Sequence, residues 1–115
     1  MKKSHTVPME VYAPKPNGPF ELEPYEVGWA TEAIAIVYVR EVFGPAPHLE
    51  LKAQISADGV RWIDLSTAFT PIMKPGGYAL PLSHFGNWLR LAGMVTGGPS
   101  NDGPAMIVDL YWVLK

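Results

Sequence analysis

Cysteine is absent from this 115-residue chain, and its absence excludes three kinds of chemistry. Disulfide bonds, zinc sites built on thiolates and cysteine nucleophiles all need a thiol. A chain of this length buries roughly two-thirds of the surface that its unfolded form exposes, so it needs no such cross-link to fold. One domain is expected, because there is no room for a second core.

Charge is scarce and evenly distributed. Charged residues make up 17% of the chain, and the formal net charge is -2. The basic residues are spread from Lys2 to Lys115 without a run. Because nucleic-acid binding depends on clustered Lys and Arg, we predict no nucleic-acid partner.

Long apolar segments are also missing. The longest uninterrupted apolar run covers residues 33–39, far short of the roughly 20 residues that a membrane helix needs. The start of the chain, MKKSHTVP, carries two lysines without an apolar segment behind them, which argues against a secretory signal. We therefore predict no membrane partner and a cytoplasmic location.

Glycine and proline are abundant instead, with 11 Gly and 12 Pro. Both disfavour long helices, and both fall between apolar stretches where turns between strands would need them. Residues 1–28 hold five prolines and four acids. We interpret them as a Pro-rich N-terminal arm with short edge strands, followed by a β-sandwich domain over residues 29–115.

Strand signals are clearest in the middle and at the end of the chain. Residues 49–56 alternate strictly, which places Leu49, Leu51, Ala53 and Ile55 on one face. Asp58 and Gly59 predict a turn that leads into a strand over residues 60–65. Further strands are predicted over residues 33–42, 78–82 (an edge strand, because of Pro81), 88–96 and 105–114.

These signals predict an all-β fold, an antiparallel two-sheet β-sandwich of about seven or eight strands in the jelly-roll or galactose-binding-like style. Residues 38–51 and 89–110 share one plan of strand, Gly/Pro loop and strand. Two similar hairpins that pack as opposing halves of the sandwich would explain this plan, and so would chance.

Several motifs resemble a known pattern. The string LELKAQISADGVRWIDL, the later WLRL strand and the Val-Thr-Gly loop before a final apolar strand are similar to small β-sandwich proteins among tailed-phage structural genes. The Ser-x-Asp-Gly-x-x-Trp piece also resembles discoidin-like, galactose-binding-like sandwiches, where it belongs to the scaffold. The phage resemblance implies self-assembly or attachment to a particle, and hence a virion-associated protein.

No catalytic, metal or cofactor site is predicted. His5, His48 and His84 lie far apart without zinc-ligand spacing. Ser83 and His84 are adjacent, so their side chains diverge in an extended segment, and no nucleophile-elbow motif is present. We predict that the protein is not an enzyme.

Aromatic residues are the best candidates for a functional surface. Tyr111 and Trp112 are neighbours on the last strand and must face opposite sides, so one of them points away from the core. Exposed aromatic side chains are typical of interface anchors and of platforms that stack on sugars. The candidates for an interface or a ligand site are Trp62, Tyr78, Trp88, Tyr111 and Trp112.

These observations favour a non-catalytic structural protein that self-associates as a homo-oligomer, for example a trimer, or decorates a capsid- or tail-like particle. The alternative is a carbohydrate-binding module that uses coplanar aromatics such as Trp62, Tyr78 and Trp88. In that case the partner is a sugar.

Overall fold

A computed structural model describes residues 4–115, and within that range the secondary structure is nine β-strands without a helix. Runs of alternating apolar and polar residues form the strands, and Gly- and Pro-rich segments separate them. The strands are β1 (His5–Pro16), β2 (Gly18–Glu21), β3 (Tyr25–Glu26), β4 (Glu32–Val42), β5 (His48–Ser56), β6 (Ile63–Ala68), β7 (Gly76–Ser83), β8 (Trp88–Thr96) and β9 (Pro104–Leu114).

The strand pairs are antiparallel and nested. β1 pairs with β9, β2 and β3 with β8, β4 with β7, and β5 with β6. Sheet A has the order β1-β9-β4-β7, and sheet B has the order β2-β8-β5-β6 with β3 also beside β8. The chain is therefore one long folded hairpin wrapped into two sheets, which is a jelly roll. The predicted all-β sandwich is confirmed, and so is the edge position of the strand that contains Pro81.

The core lies between the two sheets. On β5, Leu49, Leu51 and Ala53 are buried, while Glu50 and Lys52 are exposed. The inward residues of β9 are also buried, and these are Met106, Val108, Leu110, Trp112 and Leu114. Alternation with a period of two therefore divides the side chains between the core and the surface as the sequence predicts.

The turn after β5 is longer than predicted. A strand was expected from residue 60, but β6 begins at Ile63. The Asp58 carboxylate accepts hydrogen bonds from the backbone N–H groups of Val60 and Arg61, both at 2.9 Å, and so holds them in the turn. Gly59 has φ of 77°, and a Cβ there would lie 3.3 Å from the Trp88 ring.

The two similar units of the sequence are arches between the sheets. β4 and β5 lie in opposite sheets, and so do β8 and β9. The two Gly/Pro loops contact each other, since the Ala46 N–H donates to the Gly97 carbonyl at 3.0 Å. The hairpin explanation of residues 38–51 and 89–110 is therefore wrong, because each loop crosses from one sheet to the other.

The Pro-rich segment over residues 1–28 supplies edge strands to both sheets, and its first three residues lie outside the described residues. β1 pairs with β9 along most of its length. Lys15 is buried, pairs with Glu10 and places its ammonium 4.4 Å from the centre of the Phe20 ring. These contacts tie β1 to β2, so residues 5–21 are paired within their own chain.

Candidate functional site

The outer face of sheet A, called face A below, is apolar for a surface exposed to solvent. Its residues follow from the register of β4 with β7 and β9, and of β1 with β9. Its charged members on β4, β7 and β9 are Arg40 and Asp109, together with Glu32 and Glu41 at the two ends of β4. Face A includes Thr6, Pro8, Glu32, Ile34, Ile36, Tyr38, Arg40, Glu41, Ala79, Pro81, Ile107, Asp109, Tyr111 and Val113.

Strand β4 shows why face A is unusual. Its inward residues include Ala35, Val37 and Val39, and its outward residues Ile34 and Ile36 are also apolar. An antiparallel strand with one solvated face normally alternates apolar with polar residues, whereas an apolar run on both faces is typical of strands covered on both sides. The composition of β4 therefore resembles that of a strand covered on both sides.

An ion pair between the exposed Arg40 and the buried Asp109 lies at one end of face A. Asp109 is buried, with 3% of the residue exposed. Its carboxylate accepts hydrogen bonds from Arg40 Nε and from the Tyr12 backbone N–H, each at 2.8 Å. Arg40 Nη2 also lies 2.8 Å from Asp109 Oδ2. Two guanidinium contacts and one backbone donor fix the carboxylate in place.

Tyr12 packs over the ion pair of Arg40 and Asp109. The register of β1 against β9 shifts between Glu10 and Ala13, which marks a β-bulge at this position. Tyr12 has φ of 52°, a left-handed conformation that is strained for a bulky residue. The bulge turns the Tyr12 N–H toward Asp109, and the Tyr12 ring lies 3.5 Å from the Arg40 guanidinium carbon.

The charge of Asp109 is stabilised despite its burial. Burial raises the pKa of Asp109, but the hydrogen bonds from Arg40 and from the Tyr12 backbone, together with the Arg40 charge, outweigh it and lower the pKa below its usual range. The ion pair therefore stays charged at neutral pH. Beside it, Tyr38 and Tyr111 meet edge to face with ring centres 6.0 Å apart.

The outer face of sheet B, called face B below, is polar. Arg90, Gln54 and Asp64 lie side by side on β8, β5 and β6. Arg90 Nε donates to Gln54 Oε1 at 2.7 Å, Gln54 Nε2 donates to Asp64 Oδ1 at 2.8 Å, and Lys52 Nζ donates to Asp64 Oδ2 at 2.9 Å. Arg90 also lies 3.2 Å from Glu21, so a continuous polar network crosses four strands.

A groove of about 480 Å³ runs beside this network. Its walls include Glu21, Lys52 and Gln54 on the polar side and Phe69 and Pro71 on the apolar side. This volume lies within the range of small-molecule sites, roughly 300–1,000 Å³. Face B therefore contains a concave site, whereas face A carries a cluster of tyrosines around one ion pair.

The five aromatic candidates from the sequence are divided between different places. Trp62 is half-buried against Arg90, whose guanidinium carbon lies 4.2 Å from the ring centre. Trp88 is half-buried on face B, and Tyr111 is half-buried on face A. Tyr78 packs against the core and donates its hydroxyl to the Lys74 carbonyl at 2.7 Å.

Trp112 requires a correction, because it is completely buried at the centre of the core. Its register partner on β4 is Ala35, which also faces inward. Small residues opposite the indole leave room for it between the sheets. Of the two neighbouring aromatics on β9, Tyr111 is thus the one that points outward.

The five candidates chosen from the sequence do not include Tyr12, Tyr38 or Arg40. Tyr38 carried a usable signal, since it lies outward in a strand whose alternate residues are buried. The position of Tyr12 depends on the bulge, which interrupts the alternation of β1 without a Gly to mark it. The partnership of Arg40 with Asp109 joins residues 69 positions apart and has no local signature.

Among the described residues, His, Asp and Glu side chains do not gather in groups of three or more that could hold a metal ion. His5 contacts the edge of the Trp29 ring, and His48 lies 3.7 Å from Glu50. Over residues 4–115 there is also no helix long and apolar enough to cross a membrane.

Comparison with known proteins supports the fold. No protein-family model matches the sequence, and no curated protein sequence matches it either. The SPBc2 prophage-derived protein YomS has a similar structure, with a TM-score of 0.59 at 13% identity over 97% of this chain and 92% of YomS. A protein from Sulfurospirillum deleyianum matches with a TM-score of 0.51 at 6% identity over 100% of this chain and 99% of its own.

A viral structure is similar as well. A chain of the T13 IBDV viral particle matches with a TM-score of 0.57 at 10% identity over 97% of this chain, which spans 30% of the viral chain. These likenesses show a shared fold. The resemblance to discoidin-like and galactose-binding-like sandwiches stays a prediction.

Proposed function

We propose that this protein is a non-catalytic structural subunit that self-associates through face A. The observation that carries the proposal is the apolar outward side of β4, where Ile34, Ile36 and Tyr38 face away from a core that is already complete. Tyrosine and arginine are also the residues that most often anchor protein interfaces. Tyr38 is 48% exposed and Tyr12 is 64% exposed. Both lie close to Arg40, so the three side chains together could anchor an interface.

A second copy of the same chain is the partner that fits this surface. Arg40 and Asp109 neutralise each other, and the other charges of β4 on face A, Glu32 and Glu41, lie at the two ends of the strand. A copy related by a two-fold axis therefore meets no charge over the centre of the face around Ile36, and isologous contacts of this kind are common in homo-oligomers. Four strands spaced about 4.8 Å apart and about eight residues long give a flat area on the order of 500 Å² per copy, which is the size of a functional patch.

Attachment to a particle belongs to the same proposal. The similar structures include a prophage-derived protein and a chain of a viral particle. Jelly rolls recur in viral capsid domains. We propose that the homo-oligomer is virion-associated and decorates a capsid- or tail-like particle.

The carbohydrate-binding alternative predicted from the sequence needs a platform of Trp62, Tyr78 and Trp88. Trp62 and Trp88 belong to the sheet B side, whereas Tyr78 lies on an edge strand of sheet A and packs against the core. The three rings therefore do not form one coplanar surface. Self-association is the function that the arrangement of aromatics supports.

The test is the mass in solution by light scattering at two protein concentrations. The wild type is expected to give a multiple of the 12.6 kDa chain mass, which also reports the number of copies. Ile36→Lys places a charge in the middle of face A and is expected to leave a monomer. Met94→Lys is the matched control on face B, where Met94 is 40% exposed.

Circular dichroism is expected to show that both variants remain folded, because each substituted side chain points away from the core. A wild type that stays at 12.6 kDa at both concentrations would contradict the proposal. Retention of the full mass by Ile36→Lys would contradict it equally, since the interface would then lie elsewhere.

A further inference from the structure

The groove on face B lies where two short side chains, Ala92 and Ala68, share a cross-strand row with the longer Glu21 and Lys52. Three neighbouring cross-strand rows form this part of the face. The first row is Arg90, Gln54 and Asp64, the second is Glu21, Ala92, Lys52 and Ala68, and the third is Pro19, Met94 and Glu50.

Ala92 forms the floor of the groove. It alternates with Leu91, which is completely buried in the core, and Ala92 does not belong to that core. It is nevertheless only 7% exposed, because the side chains around it rise above it. Ala68 continues the hollow to the edge strand β6 and is exposed.

One wall of the groove is polar and held rigid. Gln54 uses both ends of its amide, since Oε1 accepts from Arg90 and Nε2 donates to Asp64. Lys52 is fixed by its bond to Asp64, and Arg90 is held between Glu21 and the Trp62 ring. These planar groups are therefore already oriented, so a ligand does not have to order them.

The opposite wall is mostly apolar and contains the Phe69 ring, Pro71, Pro19 and Met94, with the Glu50 carboxylate in the same row as Met94. The charged groups along the groove and its network are two cations, Lys52 and Arg90, and three carboxylates, Glu21, Glu50 and Asp64. The charges of these five groups nearly cancel. The site therefore gives a strongly charged ligand little electrostatic attraction.

We propose that this groove binds a short neutral glycan. A pyranose ring has an edge of hydroxyl groups and a face of C–H groups. The hydroxyl edge matches carboxylate, amide and ammonium groups such as those of Glu21, Gln54 and Lys52, which offer paired donors and acceptors. The C–H face matches the wall formed by Phe69, Pro71 and Met94. The site differs from the aromatic platform expected from the sequence, because Ala92 and Ala68 shape it.

The glycan site does not depend on self-association. It lies on face B, while the proposed interface is face A, and the two sheets present these faces in opposite directions. A monomer would keep the groove intact. Failure of one proposal is therefore distinguishable from failure of the other.

The experiment is a titration with the neutral disaccharides lactose, maltose, cellobiose and N,N′-diacetylchitobiose, followed by amide resonances in nitrogen-15 NMR spectra. At least one sugar is expected to cause saturable shifts that cluster at Ala68, Ala92 and Met94. Ala92→Leu fills the floor and is expected to weaken that binding by roughly tenfold or more, which corresponds to about 1.4 kcal/mol or more.

Ala68→Leu narrows the same hollow from an exposed edge position, so it tests the site even if Ala92→Leu does not fold. Thr96→Leu is the matched control, because Thr96 points outward from the same strand β8 beyond the groove. It is expected to bind like the wild type.

Three results would overturn the proposal. One is an absence of saturable shifts with all four sugars up to their solubility limits. Another is sugar binding that both Ala92→Leu and Ala68→Leu leave unchanged. The third is a groove that binds a basic peptide, such as a lysine-rich hexapeptide, while it rejects every sugar, because the carboxylates would then act as a cation site.

Discussion

Face A is apolar and keeps its ion pair beneath a tyrosine ring, whereas face B is polar and keeps its charges in an open network beside a groove. Both faces belong to one sandwich with one core, so burial of the core does not explain the difference. It comes from the outward residues of the central strands. Outward positions of β4 hold Ile34, Ile36 and Tyr38, while those of β5 hold Glu50 and Lys52.

This contrast shows that the two outward surfaces are independent of the fold. The inward residues of β4 and β5 follow the same rule and are buried alike. The outward residues are free to vary, and here they separate a surface suited to a protein partner from one suited to a small polar ligand.

The largest expected effect compares one carboxylate from each face. Asp109→Asn on face A removes the charge that holds Arg40 and the Tyr12 backbone, and we expect it to lower the free energy of unfolding by about 2 kcal/mol. Asp64→Asn on face B removes an exposed partner of Lys52 and is expected to have a much smaller effect. Denaturation with guanidinium measures both. Equal losses would contradict the distinction between a buried carboxylate and a surface network.

A smaller effect tests the strained bulge on face A. Tyr12→Ala and Tyr12→Gly both lose the ring that lies over Arg40, but only Gly adopts the positive φ of 52° without strain. We expect the Gly variant to be more stable than the Ala variant by about 1 kcal/mol. Thermal unfolding of the two variants side by side measures the difference. A more stable Ala variant would mean that residue 12 does not hold this conformation in solution.

The smallest expected effect is the change in folding stability with pH and salt concentration. Hydrogen bonds from Gln54 and Lys52 lower the pKa of Asp64, and the pKa of Asp109 is lowered as well. A depressed folded pKa stabilises the protein above the unfolded value of about 3.9, and this contribution is lost as the pH falls through the folded value. Stability is therefore expected to decline below about pH 4, and each Asn variant is expected to decline less steeply.

Salt separates the two carboxylates in the same series. At 1 M salt the Debye length is about 3 Å, so the exposed Asp64 contribution is screened while the buried Asp109 contribution persists. Unfolding midpoints at low and high salt, for the wild type and both variants, measure this. Equal salt sensitivity of the two contributions would contradict the burial of Asp109.

Much of the sandwich is predictable because its signals are local. Alternation fixes the inward side of residues 49–55 and 106–114, Pro81 marks an edge strand, and Asp58 with Gly59 marks a turn. The order of strands is not local. Gly/Pro loops look the same whether they close a hairpin or cross between sheets, so the arches over residues 38–51 and 89–110 were misread as hairpins.

The two functional surfaces were only partly predictable for the same reason. Tyr111 follows from alternation on β9, once Trp112 is known to fill the core. The ion pair between Arg40 and Asp109 joins distant strands, and the groove needs Ala92 and Ala68 in one register row. Such rows appear only when strands far apart in sequence are placed side by side.

The most direct test of the central claim asks which face becomes covered as the protein associates. Hydroxyl-radical footprinting at increasing protein concentration compares the oxidation of Tyr38 on face A with that of Met94 on face B, and both side chains are well exposed in the single chain. We predict that Tyr38 becomes protected as the mass rises, while the oxidation of Met94 stays constant. Protection of Met94 with Tyr38 still oxidised would place the contact on the opposite sheet and contradict the account.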